Sequence, residues 1–162
     1  MTKTNMNSIL NDKNYLLWRL LLQTRNAMMK ARDRELAQYN LTQRQAAILQ
    51  IVRATGGDIS AYRIARWLIL EPHSLVKVLN KMEKKGLVKR SIKKGVRKES
   101  KIDLTEEGIE AYEEVCLLSS INIILSVLSE RQFDELWTVL KLLRDKAMQE
   151  VRIKAPLPFP PF

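Results

Sequence analysis

Residues 71–90 read EPHSLVKVLNKMEKKGLVKR, and the spacing of their apolar residues predicts a short helix with one buried side. Pro72 suits the first turn of that helix, where the missing N–H donor of a proline costs nothing. Gly86 is expected to end it. The inward stripe is Leu75, Val78, Leu79 and Met82. The outward side is left with His73, Ser74, Lys77, Asn80, Lys81 and Lys84.

Two further helices are predicted upstream of this segment. Ser60 can cap a short helix, which must stop before Pro72 because the residue preceding a proline is pushed out of helical geometry. Its buried side is Ala61, Ile64, Ala65 and Leu68. Thr42 followed by Gln45 is a capping-box pattern that starts an earlier helix, which Gly56 and Gly57 end. The shared face of that helix is Gln45, Ile48, Leu49 and Val52.

A β-hairpin is predicted downstream. The stretches LVKRSI (87–92) and ESKIDL (99–104) flank KKGVRK (93–98), with Gly95 near the turn. Two short helices joined by a tight turn and followed by a two-stranded hairpin make a helix-turn-helix with a wing. The second helix of such a unit can enter the major groove of DNA.

Long apolar helices are predicted on both sides of this unit. The first runs from Ile9 to about Tyr39 and is apolar over more than one face. A second begins at Thr105 and runs to about Leu128, and a capping box at Ser129 launches a last helix to about Lys154. The predicted class is therefore mainly α with a small β-hairpin wing, in one domain over 1–162. Its parts are the flanking helices 1–39 and 105–154, the winged helix-turn-helix 41–104 and the proline-rich tail 155–162.

Basic residues are concentrated in one segment. The chain has a formal net charge of +10. Residues 72–101 contain eleven Lys or Arg and two Glu, which leaves +9 in thirty residues. This distribution favours a single binding face for a polyanion over a generally basic surface.

Several classes of function are disfavoured by composition. His73 is the only histidine and Cys116 the only cysteine, so the sequence predicts no metal site, no cofactor and no catalytic constellation, and hence no enzyme. Cys116 lies in an apolar run and is expected to be an inert core residue. We see neither a signal peptide nor a run of about 20 apolar residues, and expect a cytoplasmic protein that does not enter the membrane.

The same residues resemble a known family. The segment ISAYRIARWLILEPHSLVKVLNKMEKKGLVKR (59–90), the hairpin and the closing LTEEG (104–108) are similar to the winged helix-turn-helix of MarR-family transcription regulators. The resemblance implies a homodimer formed by the N- and C-terminal helices. It also implies a repressor that binds a pseudo-palindromic operator on double-stranded DNA and is released by a small effector.

Two positions depart from the family pattern. The wing reads Gly95-Val96-Arg97-Lys98 where the family usually has Asp-x-Arg, so the wing arginine role passes to Arg97 or Lys98. Ile69 replaces a frequent glycine in the turn between the two helices, and we expect this turn to avoid a left-handed residue.

The helix-turn-helix geometry and the resemblance together predict which residues contact DNA. Residues in the first turns of the second helix meet base edges, Val76 can pack on a thymine methyl, and basic residues of the wing neutralise phosphates. The predicted DNA contacts are Ser60, Pro72, His73, Ser74, Val76, Lys77, Lys81, Arg90, Lys93, Lys94, Arg97 and Lys98.

Four residues are candidates for binding a small aromatic or amphipathic effector between the dimer helices and the DNA-binding lobe. They are Tyr15, Trp18, Met28 and Trp67. Aromatic and Met residues at helical spacing are more often plain core, and that alternative stays open here. An alternative for the whole chain also stays open: a basic winged-helix adaptor or anti-repressor that binds an acidic protein.

Overall fold

The computed structural model describes residues 12–57, 59–92 and 100–153. The helices are α1 (Lys13–Ala37), α2 (Gln43–Ala54), α3 (Ala61–Trp67), α4 (Pro72–Lys84), α5 (Glu106–Val115), α6 (Ser119–Leu125) and α7 (Glu130–Glu150). The strands are β1 (Ile59–Ser60), β2 (Val88–Ile92) and β3 (Ser100–Leu104). The predicted class, mainly helical with a small wing, is confirmed.

The sheet is antiparallel, and β3 lies between β1 and β2. On one side of β3, Arg90 is opposite Ile102 and Val88 is opposite Leu104. On the other side, Ile59 is also opposite Ile102. The predicted hairpin is therefore present. Strand β1 was not predicted, because two residues carry no periodic pattern and the strand exists only by pairing with β3.

One apolar core joins α2, α3, α4, the sheet and α5. The predicted inward stripe of α4 is confirmed, since Leu75, Leu79 and Met82 are buried and Val78 packs on the core from a half-buried position. Full burial of a Leu or Met side chain contributes about 1.5 to 3 kcal/mol. Other fully buried core side chains are Ile48, Leu49, Ile59, Ile64, Ile102 and Val115. The core fixes which side of α4 faces outward.

The predicted caps are present at four helix starts. The Thr42 hydroxyl accepts from the Gln45 N–H while the Gln45 side chain accepts from the Thr42 N–H, and Ser129 with Gln132 repeats this box. The Ser60 hydroxyl accepts from the Arg63 N–H, and the Thr105 hydroxyl accepts from the Gly108 N–H. These contacts span only three residues, which is why sequence alone could find them.

The turn between α3 and α4 does not follow the prediction. Ile69 has φ 52° and is left-handed, so the expectation that this turn avoids such a residue is wrong. The Leu70 N–H donates to the Ala65 carbonyl at 2.9 Å and the Ile69 N–H to Arg66 at 3.3 Å, which together form a Schellman motif. Gly56 and Gly86 occupy the corresponding positions after α2 and α4. The turn therefore keeps the geometry that glycine favours and strains an isoleucine instead.

The helix predicted from Thr105 to about Leu128 is wrong as a single element. It breaks after Val115, and Leu118, with φ 48°, precedes α6. Cys116 lies in this break and is exposed in the single chain, so the expectation of a core cysteine is also wrong. The last helix ends at Glu150, a little before the predicted Lys154. Two side chains of α1 contact the residues on either side of this break.

Candidate nucleic-acid interface

Helix α4 begins at Pro72 and presents a polar side to solvent. The preceding residue, Glu71, is extended and makes no side-chain capping bond to the first turn. The residues predicted to contact DNA here are placed together: Pro72, His73, Val76, Lys77 and Lys81 are exposed and Ser74 is half-buried. The positive end of the helix, with Lys77 in the second turn, suits a phosphate, and Lys81 lies in the last turn.

Ser60, also predicted to contact DNA, lies at the junction of β1 and α3. Its hydroxyl oxygen accepts the Arg63 N–H at 3.4 Å as the cap of α3. A hydroxyl that accepts one bond can still donate its own proton. Ser60 therefore positions α3 and keeps one donor.

Arg90 of β2 is tied to α4. Its guanidinium donates to the Asn80 side-chain oxygen at 2.6 Å and lies 3.6 Å from the Glu83 carboxylate. Arg90 was expected from the sequence to contact only DNA, so this contact within the chain was missed. The wing base is thereby joined to the polar side of α4.

The remaining wing residues predicted to contact DNA are Lys93, Lys94, Arg97 and Lys98. All four lie outside the described residues. In the sequence they lie between Ile92 and Ser100, which form the last residue pair of β2 and β3.

The chain matches known proteins in this region and over most of its length. Residues 41–108 match the family model of a winged helix DNA-binding domain. The organohalide-sensing transcriptional regulator RdhR-CbdbA1625, solved with 2,4-dichlorophenol bound, is 25% identical, with 93% of this chain and 92% of that chain covered and a TM-score of 0.82. AbsC, a MarR-family regulator from Streptomyces coelicolor, is 21% identical over 92% and 97% of the two chains, with a TM-score of 0.77. A mutant MarR from E. coli, solved with operator DNA, is 18% identical over 78% and 92%, with a TM-score of 0.72.

The chain contains a winged helix domain and shares its fold with MarR-family regulators. No curated protein sequence matches it at a significant level. The matched domain is of the DNA-binding kind, and the structural neighbours are transcriptional regulators rather than enzymes, in agreement with the sequence analysis.

The winged helix domain has a second group of basic residues, on α3, that was not expected from the sequence. On α3, the Arg63 guanidinium lies 5.8 Å from the Trp67 ring centroid and that of Arg66 lies 6.0 Å from the Tyr62 ring centroid. The first helix of a helix-turn-helix crosses the DNA backbone. The signal in the sequence was the arginine–aromatic spacing of four in AYRIARW (61–67), which lies outside the segment used to count charge.

The four effector candidates are not brought together in the single chain. Tyr15 and Trp18 are exposed on α1, Met28 is half-buried further along the same helix, and Trp67 is half-buried on α3 under Arg63. A cavity of about 330 Å³ lies instead between α1, α2 and α4. Its lining includes Met29, Asp33, Arg44, Val78 and Lys81. Effector binding by the four candidates stays a prediction.

Neither a metal cluster nor a membrane-spanning helix is found among the described residues. Across 12–57, 59–92 and 100–153, no three His, Cys, Asp or Glu residues are grouped to hold a metal ion. Within the same ranges no single helix is long and apolar enough to cross a membrane. Only the segments Glu106–Leu125 and Glu130–Glu150 taken jointly meet that test, across a bend of 106°.

Proposed function

We propose that this chain is a homodimeric transcription repressor that binds a pseudo-palindromic DNA operator and releases it on binding a small molecule. The observation that carries the proposal is the outward side of α4. His73 and Lys77 are exposed there, while Leu75 and Leu79 on the other side are buried in the core. This side is therefore free for a partner, and its charge selects a polyanion.

Recognition of bases is assigned to the first turns of α4. His73, Ser74 and Lys77 offer short and long hydrogen-bonding groups, and Val76, 42% exposed, offers a methyl surface for thymine. Lys81 and the basic residues of the wing are assigned to phosphates, as are Arg63 and Arg66 on α3.

The homodimer is proposed from the apolar surface of the outer helices. Trp18 is 60% exposed on α1 and Trp137 is 57% exposed on α7. Their exposed apolar neighbours are Tyr15, Leu16, Leu17, Leu20, Leu22, Phe133, Leu136, Val139, Leu140, Leu142 and Leu143. Monomeric proteins rarely leave large apolar surfaces exposed, so a second copy is the expected cover of these two helices. We accordingly assign 1–39 and 105–154 to dimerisation and 41–104 to DNA binding.

A small aromatic effector is proposed by analogy with one neighbour. The regulator solved with 2,4-dichlorophenol has 93% of this chain aligned to it. Tyr15 and Trp18 are exposed in the single chain and would be covered on dimerisation, which would give an apolar wall for an aromatic ring. A DNA partner also supports our proposal of a cytoplasmic location.

The test is a selection of bound fragments from a random DNA library, followed by affinity measurements on the selected and a scrambled duplex. We expect strong preference for a sequence with two related half-sites, and a dimer at micromolar protein in sedimentation. Weak and equal binding to both duplexes would contradict the proposal and favour the adaptor alternative. Lys77→Ala should weaken binding to the selected duplex, whereas Lys141→Ala, an exposed lysine on α7, should not.

A further inference from the structure

Two charged side chains of α1 meet the break between α5 and α6. Arg32 and Glu35 are one turn apart and form an ion pair at 2.7 Å, with side chains only 9% and 14% exposed. Arg32 contacts the residue at which α5 ends, and Glu35 contacts the residues at which α6 begins. These contacts connect positions more than eighty residues apart in the chain.

Arg32 holds the end of α5. Its guanidinium donates to the Val115 carbonyl at 2.7 Å, and both residues are buried. A cation at a helix C-terminus satisfies a carbonyl that has no partner within the helix and complements the dipole.

Glu35 holds the start of α6. Its carboxylate accepts the N–H of Ser119 at 2.9 Å, the N–H of Ser120 at 3.1 Å and the hydroxyl of Ser120. Leu118, the residue before α6, makes no side-chain cap of its own. The cap of α6 is thus supplied by α1. Burial raises the pKa of Glu35, but hydrogen bonds from Ser120 and Arg32 outweigh it and lower that pKa to about 2.

The break itself has no local cause in the sequence. Leu118 adopts φ 48°, a conformation that favours glycine, and no proline or glycine lies between Val115 and Ser119. The chain therefore turns here against the local preference of Leu118, and the ion pair from α1 supplies contacts on both sides of the turn.

We propose that Arg32 and Glu35 are positioning residues that fix the angle between the DNA-binding lobe and the helices α6 and α7. Leu36, the next residue, is 1% exposed in the lobe core, so this end of α1 moves with the lobe. In the homodimer proposed above, on which this part of the inference rests, the angle sets the distance between the two copies of α4. The ion pair then selects the spacing of the half-sites without touching DNA.

The angle can be tested in a single chain, independently of DNA and of dimerisation. Spin labels are placed at Glu110→Cys on α5 and Lys141→Cys on α7 in a Cys116→Ser background, and labelled chains are diluted with unlabelled ones. We expect one narrow distance distribution, which Glu35→Ala broadens or shifts. The matched control is Glu135→Ala, which breaks an exposed ion pair with Arg131 on α7 and should leave the distribution unchanged.

A second variant keeps the test decisive if Glu35→Ala does not fold. Ser120→Ala removes one donor to Glu35 and should broaden the distribution less. An unchanged distribution in every folded variant of Glu35 and Ser120 overturns the inference.

A second experiment measures binding to three duplexes. Their half-sites lie at the selected spacing, one base pair further apart and one base pair closer together. Wild type should prefer one spacing, and Glu35→Ala should lose that preference while keeping its affinity for a single half-site. A variant that keeps the preference overturns the proposed role in spacing. Wild type that binds no specific duplex instead contradicts the proposed function, and the distance measurement still decides the role of the ion pair.

Discussion

The Arg90 guanidinium donates a 2.6 Å hydrogen bond to the Asn80 side chain, so strand β2 of the wing is joined to the polar side of α4. Both residues lie at the edge of the surface assigned to DNA. Wing and recognition helix are therefore expected to move as one body. A wing held in this way can deliver its basic residues beside the groove that α4 enters.

A double-mutant cycle tests this joint. Arg90→Ala and Asn80→Ala should each lower the free energy of unfolding, and their coupling should be about 1 kcal/mol, as for a partly exposed bond to a charged donor. Urea unfolding of the four proteins measures it. Lys89→Ala is the control, since the adjacent residue of a strand points to the opposite face. Additive effects at 80 and 90 would contradict the joint.

Ile69 should be a source of strain in the turn between α3 and α4. Ile69→Gly is expected to raise the free energy of unfolding by roughly 1 kcal/mol, because a left-handed β-branched residue costs more than the backbone entropy that glycine loses. The reciprocal change is Gly86→Ala. Gly86 has φ 72° and open space around an added Cβ, so this change should lower the free energy of unfolding by a similar amount. Thermal unfolding of both variants provides the measurement. A destabilised Ile69→Gly would mean that the isoleucine side chain makes a compensating contact.

The features that depend on contacts between nearby residues were predictable from the sequence. The cap at Thr42, the proline start of α4 and the buried stripe through Leu75 all follow from residues within one or two turns of each other. The break at Leu118 could not be found in this way, because its partners Arg32 and Glu35 are more than eighty residues away. The same is true of β1, which forms only against β3. At the candidate interface, residue types and outward positions were predictable, whereas the tie of Arg90 to Asn80 required the fold.

Substitution of His73, Ser74 or Lys77 by Ala should weaken binding to the selected duplex by roughly 1 to 3 kcal/mol where the residue makes a good base contact. Binding to random DNA should change little for a base-reading residue. Fluorescence anisotropy on both duplexes gives the difference, and circular dichroism checks that each substitution leaves the fold intact. Normal affinity in all three variants would mean that α4 is not the recognition helix.

The wing should contribute mainly through phosphates. Arg97→Ala is expected to weaken selected and random DNA alike, and each lost phosphate contact should reduce the slope of log affinity against log salt by about 0.9. A salt titration of wild type and variant on both duplexes checks this. An unchanged slope on both would indicate that Arg97 does not contact DNA.

Glu35 should make stability depend on pH in the acid range. Its pKa is lowered from an ordinary 4.5 to about 2, so the unfolded chain binds the extra proton between these values. The contribution of Glu35 to stability is therefore present above about pH 4.5 and is lost as the pH falls towards 2; its size is on the order of 3 kcal/mol. Glu35→Gln should flatten this part of the profile of unfolding free energy against pH. A variant with the wild-type acid profile would contradict the lowered pKa.

The ends of the wing are joined to each other at its base. The Thr105 hydroxyl donates to the Gly86 carbonyl, the Thr105 N–H donates to Leu87, and the pairing continues to Ile92 and Ser100. Residues 93–99 therefore connect two positions, Ile92 and Ser100, that strand pairing holds together. Doubling the length of a flexible connection between two fixed ends lowers stability by only about 0.6 kcal/mol, through the entropy of closing it. The number and spacing of charges beyond Ile92 can consequently diverge between related proteins at little cost. This segment is then the natural place for the strength and salt dependence of DNA binding to evolve while the core stays unchanged.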